Sequence, residues 1–282
     1  MSPLKPGSPR KSGFASHSKK GTTEVSIQRI YRPGIREDSA EEELGPEDHH
    51  YLKHVLRLKP GIRLVLFDGR GREYESVIRD FGKQSVLVNI VSSHFIEDAL
   101  PPLTLAQALP KENKMDFIIQ KATELGIERI IPFISSRTVP RLSADKASAR
   151  LKRWRKIAAE AAKQCGSPRV PDISNILSFD TMLDEAADIP LRIFFWEEET
   201  QRGIGDILRE EKHLVEIPLF FVVGPEGGFS RDEVETARGV GFTQAHLGRR
   251  ILRAETAPLV ILSIIQYERG AIGTFPGKEA VS

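Results

Sequence analysis

The segment IPLFFVVGPEGGFSRDEVETARGVGFTQAHLGRRILRAETAPLVILSIIQYER, residues 217–269, decides the fold that the sequence predicts. Its first part, residues 218–223, is a continuous apolar run of β-branched and aromatic residues, which is typical of a parallel strand buried on both faces. The glycine-rich turn 224–228 follows, and Ser230 with Glu233 predicts a capping box at the start of a helix. The segment therefore predicts a strand, a glycine loop and a helix within an open α/β sheet.

The second half of the segment predicts a short strand at 245–247, a second glycine-bearing loop at 248–257 and an apolar helix at 258–269. Loops that leave the carboxyl ends of neighbouring strands form the ligand crevice of open α/β sheets. The first loop lacks the Gly-Lys-Ser/Thr and Gly-x-Gly-x-x-Gly phosphate motifs, and Glu226 would repel a polyphosphate. A neutral or cationic ligand such as S-adenosylmethionine therefore fits better, while an ordinary Gly-Pro turn without a ligand is the alternative.

Four sequence blocks carry a resemblance to a known family. They are GPEGGFS at 224–230, LGRRILRAETA at 247–257, MDFIIQKATELGI at 115–127 and RWRKIAAEAAKQ at 153–164. In these blocks and in their order, the chain resembles the ribosomal RNA small subunit methyltransferase E family of the SPOUT superfamily. The resemblance extends over about residues 27–270.

The resemblance implies an α/β protein of two domains. The C-terminal one, at 103–275, would be a SPOUT methyltransferase domain with a mainly parallel sheet and a trefoil knot at about 190–270. The N-terminal one, at 24–93, would be a PUA-like RNA-binding β-barrel, joined by a linker at 94–102. The implied activity is transfer of a methyl group from S-adenosylmethionine to N3 of a uridine in 16S ribosomal RNA. The implied assembly is a homodimer formed through the knot.

The resemblance also points to three loops that would hold the cofactor. Their residues are Trp196, Glu197, Gly224, Pro225, Glu226, Gly227, Gly228, Leu247, Gly248, Ile251, Leu252 and Thr256. Methylation at N3 requires the removal of a proton, so we expect Arg253 to stabilise the developing uridine anion and Glu255 to accept the proton or to hold Arg253 in place. A structural ion pair between Arg253 and Glu255 is the alternative.

Basic residues on the predicted barrel and helices are candidates for contacts with RNA phosphates. They are Arg29, Arg32, Lys53, Arg57, Lys111, Lys114 and Arg153. An ordinary solvated charged surface is the alternative. His50 and His54 share one face of a helix predicted at 46–58, a spacing that suits a metal, but no acidic or cysteine ligand lies nearby. We therefore predict no metal site.

Composition restricts the remaining possibilities. The 41 basic and 39 acidic residues leave a net charge of +2, so charge alone does not indicate nucleic acid. No apolar run reaches the length of a membrane span, and the single cysteine, Cys165, excludes an intrachain disulfide and fits a reducing cytoplasm. Residues 1–23 are basic and rich in Ser, Gly and Pro, which predicts a disordered tail; an RNA-binding arm and a transit peptide are the alternatives.

Three functions remain open on the sequence alone. The first is the RNA methyltransferase. The second is a non-catalytic RNA-binding protein of ribosome assembly on the same fold. The third is a regulator that binds a different nucleotide ligand.

Overall fold

The computed structural model describes residues 27–97, 100–138 and 143–273, and their strands form two sheets. The tail predicted at 1–23 and the last two residues of the domain predicted at 103–275 lie outside the described residues. No helix in the described part of the chain is long and apolar enough to cross a membrane.

The N-terminal sheet is a curled, mixed sheet of five strands. These are β1 Gln28–Tyr31, β2 Glu41–Leu44, β3 Arg63–Phe67, β4 Arg72–Phe81 and β5 Val86–Phe95, in the order β1-β3-β4-β5-β2. Only β1 and β3 pair in parallel. The Asp-Gly-Arg-Gly run at 68–71 predicts a hairpin turn, and it joins β3 to β4 in the structure. The sequence did not predict β2, because its three glutamates are poor strand formers. The strand forms at the edge, where only Leu44 of its four residues is buried.

The helix predicted at 46–58 is wrong beyond its first turn. An α-helix, α1, covers only Pro46–His49, and a π-helical turn continues over His50–Val55. The wider turn places Leu52 and Leu56 against the core of the N-terminal sheet. Arg57 then adopts a left-handed conformation, with φ of 55°, which ends the turn.

The C-terminal sheet has seven strands, and all of its pairings are parallel, as predicted. The strands are β6 Leu103–Ala108, β7 Arg129–Ile134, β8 Asp172–Ile173, β9 Leu177–Ser178, β10 Leu191–Phe195, β11 Leu219–Val223 and β12 Thr243–Ala245. Their order is β12-β10-β11-β6-β7-β8, and β9 also pairs with β7. The strand predicted at 245–247 lies two residues earlier, at Thr243–Ala245. It ends at Ala245, because the N–H of the next residue, His246, donates to the carbonyl of Arg202 at 3.0 Å.

Six helices cover this sheet. They are α2 Lys114–Glu124, α3 Ala144–Cys165, α4 Phe179–Asp184, α5 Ile204–Glu210, α6 Arg231–Gly239 and α7 Ala257–Glu268. The sequence predicts five of them, at 114–125, 145–164, 204–211, 231 to about 239 and 258–269, and misses α4. The trefoil knot and the domain boundaries stay predictions.

The central strands bury both faces, as their continuous apolar runs predict. On β11, Phe221 packs against the core that includes α2 and α7, whereas its neighbour Phe220 packs against the core that includes α6. The second core is aromatic: the rings of Phe194 and Phe229 lie 4.3 Å apart. Gly224 lets the Phe229 ring approach, because a Cβ at this position would lie 3.0 Å from it.

The carboxyl end of α7 is bonded to three other segments. The buried guanidinium of Arg269 donates to the carbonyls of Pro101, Leu214 and Ile217 at 2.9, 3.1 and 2.6 Å. The amide of Gln266 donates to the carbonyl of Leu125 at 2.9 Å. These bonds fix the helix that follows the second glycine loop.

The segment 167–170 joins the two sheets. The backbone of Val170 donates to the carbonyl of Gly69 at 3.0 Å, and the backbone of Gly71 donates to the carbonyl of Pro168 at 3.2 Å. The Arg169 guanidinium donates to the carbonyl of Ile96 at 2.7 Å. The curled sheet is therefore held at a defined position relative to the parallel one.

A buried carboxylate connects α6 to the loop after β7. Ser230 and Glu233 form the predicted capping box. Glu233 also accepts from the backbone N–H of Ser136 at 2.7 Å and from its hydroxyl at 2.8 Å. One carboxylate therefore connects the end of the first glycine loop, which follows β11, to the loop after β7, two strands away in the sheet.

We expect Glu233→Gln to lower the free energy of unfolding by about 2 kcal/mol, because an amide cannot accept all of these bonds. Urea denaturation measures the change. Glu235→Gln on the exposed side of the same helix is the matched control, and we expect it to cost less than about 0.5 kcal/mol. Equal stability of the two variants would contradict the anchoring role of Glu233.

Candidate active site

Three loops meet at the carboxyl edge of the C-terminal sheet. They follow β10, β11 and β12, which are neighbours in the sheet and run in the same direction. Together with the start of α2 they enclose a cavity of about 550 Å³. This volume is typical of a site for a small ligand.

The predicted cofactor-binding residues converge on this cavity. Those that line it are Trp196, Glu197, Gly224, Pro225, Glu226, Gly227, Gly228, Leu247, Gly248, Ile251 and Leu252. Thr256 is not among the lining residues of the described chain. It lies at the start of α7, where its N–H donates to the carbonyl of Arg253 at 2.9 Å.

The two predicted catalytic residues are placed differently. Arg253 is exposed and lines the cavity, whereas Glu255 is not among its lining residues in the described chain. Arg253 and Glu255 form no ion pair in the described chain, although the interpretation that Glu255 holds Arg253 in place requires one. Glu255 instead lies 3.2 Å from Lys114 Nζ. That contact is an ion pair without hydrogen-bond geometry, since the buried Oε2 of Glu255 has no hydrogen-bond partner in the described chain.

Lys114 connects the two glycine loops. Its Nζ donates to Glu226 of the first loop at 2.9 Å and is ion-paired with Glu255 of the second. The hydrogen bond to Glu226 raises the pKa of Lys114. Burial alone would raise the pKa of Glu226, but bonds from Lys114 and from backbone N–H groups, including that of Lys111, hold it below its ordinary value. Both groups are therefore charged at neutral pH.

Gly228 brings the first loop against the loop after β10. It has a φ of +65°, and a Cβ at this position would overlap the carboxylate of Glu197. Only glycine adopts this conformation without strain and leaves room for that carboxylate.

Sequence reasoning missed two residues that support the first loop. Arg137, which follows β7, donates to the carbonyl of Gly227 at 2.9 Å. Its neighbour Ser136 is bonded to Glu233. A Ser-Ser-Arg run after a strand carries no distinctive signal, so only the parallel pairing of β7 beside β6 reveals its role.

Trp196 presents an unsatisfied donor at the cavity. It lines the wall, and its indole Nε1 is buried without a hydrogen-bond partner in the described chain. A buried indole N–H usually finds an acceptor. An acceptor on a ligand would satisfy it.

Most of the predicted RNA-binding cations have protein partners. Arg29 pairs with Glu73 at 2.6 Å, Arg32 with Glu42 at 3.1 Å and Arg153 with Asp116 at 2.6 Å. Lys53 lies over the ring of Phe81. Lys114 is bonded as described above, and the side chains of Arg57 and Lys111 are exposed.

The imidazole rings of three histidines in and after α1 lie close together. The rings of His50 and His54 lie 5.5 Å apart, and those of His49 and His54 lie 5.7 Å apart. Within the described residues, no group of three or more His, Cys, Asp or Glu side chains is arranged to hold a metal ion.

Comparison with known proteins identifies the family. Residues 97–266 match the family model of an RNA methyltransferase domain, and residues 44–91 match that of an RNA methyltransferase PUA domain. The ribosomal RNA small subunit methyltransferase E of Bacillus subtilis is 34% identical over 79% of this chain and 88% of its own. The protein of the same name from Rickettsia conorii is 32% identical over 86% of this chain and 96% of its own.

Comparison with solved structures supports the same family. The ribosomal RNA small subunit methyltransferase E of Neisseria gonorrhoeae, bound to S-adenosyl methionine, is 30% identical, with a TM-score of 0.74 over 86% of this chain and 97% of that one. A Legionella pneumophila protein in complex with the bound cofactor SAM is 31% identical, with a TM-score of 0.77 over 86% and 98%. Because the matched domain spans more than half of the chain and the relatives match over most of their length, the chain belongs to the ribosomal RNA small subunit methyltransferase E family.

Proposed function

We propose that this protein transfers a methyl group from S-adenosylmethionine to N3 of a uridine in the 16S ribosomal RNA of the small subunit. The observation that carries the proposal is the cavity at the carboxyl edge of β10, β11 and β12. Its glycine loops leave room for a ligand at the backbone, and its first loop has the carboxylate of Glu226 in place of a phosphate motif.

The residues of the cavity fit the proposed cofactor. Glu197 and Glu226 supply negative charge beside the glycine turn, which suits a sulfonium and disfavours a polyphosphate. The buried Nε1 of Trp196 needs an acceptor, which the adenosine or the carboxylate of the cofactor would provide. Leu252 and the half-buried Leu247 offer apolar surface.

When bound, S-adenosylmethionine supplies an electrophilic methyl group, and N3 of the uridine loses its proton to solvent. The chain must orient the uridine and stabilise the resulting anion. Arg253 lines the cavity with a guanidinium that has no ion pair within the described residues. It is therefore placed to stabilise negative charge on the uracil ring. Glu255 is set back and paired with Lys114, so we assign it a positioning role: it holds the loop that carries Arg253.

We further propose that residues 24–93 bind RNA, joined by the linker 94–102 to the methyltransferase domain at 103–275. We propose a cytoplasmic homodimer formed through a knot at about 190–270. Phe117 on α2 and Tyr267 on α7 are exposed aromatic side chains, and a subunit contact would cover such apolar surface. Sedimentation velocity of the purified chain tests the dimer.

We expect Gly228→Ala to weaken binding of S-adenosylmethionine by about 10-fold or more, since a side chain at φ +65° is strained by about 1–3 kcal/mol and meets Glu197. Isothermal titration calorimetry measures the dissociation constant, with ATP as the comparison ligand. Gly239→Ala is the matched control, because a Cβ there meets open space and we expect the affinity to be unchanged.

Equal affinity of the Gly228→Ala and Gly239→Ala variants would show that the cavity does not hold the cofactor as proposed. Binding of ATP in preference to S-adenosylmethionine by the unmodified chain would support the nucleotide regulator instead.

We expect Arg253→Ala to lower methyl transfer by about 10²-fold or more while cofactor affinity stays within about 3-fold, because the guanidinium acts on the transition state. Mass spectrometry of 16S RNA from small subunits lacking the modification measures the product and the methylated atom. Arg209→Ala, which removes an exposed arginine of α5, is the control and should keep full activity.

Full activity of Arg253→Ala would reject its catalytic role. A methyl group on another atom would reject the N3 assignment and keep the transferase. RNA binding without any methyl incorporation by the unmodified chain would favour the non-catalytic assembly protein.

A further inference from the structure

The second glycine loop carries two arginines, Arg249 and Arg250, that have no partner in the described part of the chain. Arg249 and Arg250 are exposed at the rim of the cavity. Neither side chain has an ion pair or hydrogen bond within residues 27–97, 100–138 and 143–273. By contrast, Arg29, Arg32 and Arg153, which the sequence suggested for RNA, are ion-paired with carboxylates.

Ile251 is the most exposed of the large apolar side chains in the described chain, at 85%. It lies directly after Arg249 and Arg250 and also lines the cavity. Contact with an apolar surface of a ligand would remove the Ile251 side chain from water, which is favourable.

The loop holds these residues outward by bonds at both of its ends. The N–H of Gly248, with φ of +102°, donates to His246 Nδ1 at 2.9 Å. At the other end, the N–H of Ala257 donates to the carbonyl of Arg253 at 3.0 Å. Residues 249–251, which we call the rim tip, lie between these fixed points and are all exposed.

We propose that the rim tip engages the RNA beside the methylated nucleotide: Arg249 and Arg250 contact phosphates, and Ile251 inserts into the base stack that the target base leaves. This inference rests on the proposed function. It assigns Ile251 to the RNA substrate rather than to the wall that holds the cofactor.

The chemistry of base access supports this assignment. A ring nitrogen used in base pairing can reach a cavity only if its base leaves the stack, and unstacking is costly. Proteins that open base steps insert aliphatic or aromatic side chains into them and hold the flanking phosphates with arginine or lysine. The rim tip carries both kinds of side chain at the mouth of the cavity.

The first test concerns Ile251. We expect Ile251→Ala to lower kcat/KM for methylation of naked 16S RNA about 10-fold, while Ile251→Leu retains at least half of the wild-type value. The dissociation constant for S-adenosylmethionine, measured by calorimetry, should not change in either variant. Val240→Ala, which removes an exposed apolar side chain near the end of α6, is the matched control and should leave methylation unchanged.

The second test concerns charge. Arg250→Gln should reduce the slope of log K for 16S RNA against log salt by about 0.7 to 0.9, which is the release of about one counterion. Lys212→Gln, an exposed cation in the turn after α5, should leave the slope unchanged. Filter binding at several salt concentrations measures both.

Three outcomes overturn the inference. One is wild-type methylation and an unchanged salt slope in the two variants. Another is a loss of S-adenosylmethionine affinity in Ile251→Ala as large as the loss of activity, which would show that Ile251 contacts the cofactor rather than the RNA. The third is a change of oligomeric state in sedimentation velocity, which would make the rim tip a contact with a second copy. Failure of the unmodified chain to bind 16S RNA would reject the proposed function itself.

Discussion

The parallel pairing of β10 with both β11 and β12 is the constraint on which the site depends. Parallel neighbours present their carboxyl ends at one edge, so three loops far apart in sequence must meet there. The pairing is stabilised by burial on both faces: on β10, Phe194 packs into the aromatic core and Ile193 into the opposite one. Burial of large apolar side chains on both faces leaves little freedom for a shift of register, because a slip of one residue would exchange the two faces.

Charge then sets the position of the loops relative to one another. Lys114 lies between Glu226 and Glu255, one carboxylate from each glycine loop. These groups are only partly exposed, so solvent screens their interaction less than it would screen a surface pair. The ammonium of Lys114 is paired with these two carboxylates, whereas the guanidinium of Arg253 lines the cavity without an ion pair in the described chain. A lysine that the sequence suggests for RNA is thus paired with both glycine loops, the second of which carries Arg253.

Local patterns predicted much of this correctly. The apolar run of β11, the capping box of Ser230 and Glu233, and the boundaries of α2 and α3 follow from periodicity and capping chemistry, which act over a few residues. The helix predicted at 46–58 failed because local propensity did not decide its conformation. The π-helical turn His50–Val55 is set by packing against the curled sheet rather than by propensity.

The sequence by itself determined the glycine loops, the absence of a phosphate motif and the order of the strands and helices other than β2, β8, β9 and α4, because these depend on the chemistry of neighbouring residues. Only the tertiary structure decided that Glu255 pairs with Lys114 rather than with Arg253, and that Ile251 faces solvent rather than a core. Ion pairs and exposure depend on which distant segments lie side by side. The spacing of residues in the sequence does not predict these contacts, because the packing of the sheet determines which distant segments lie side by side.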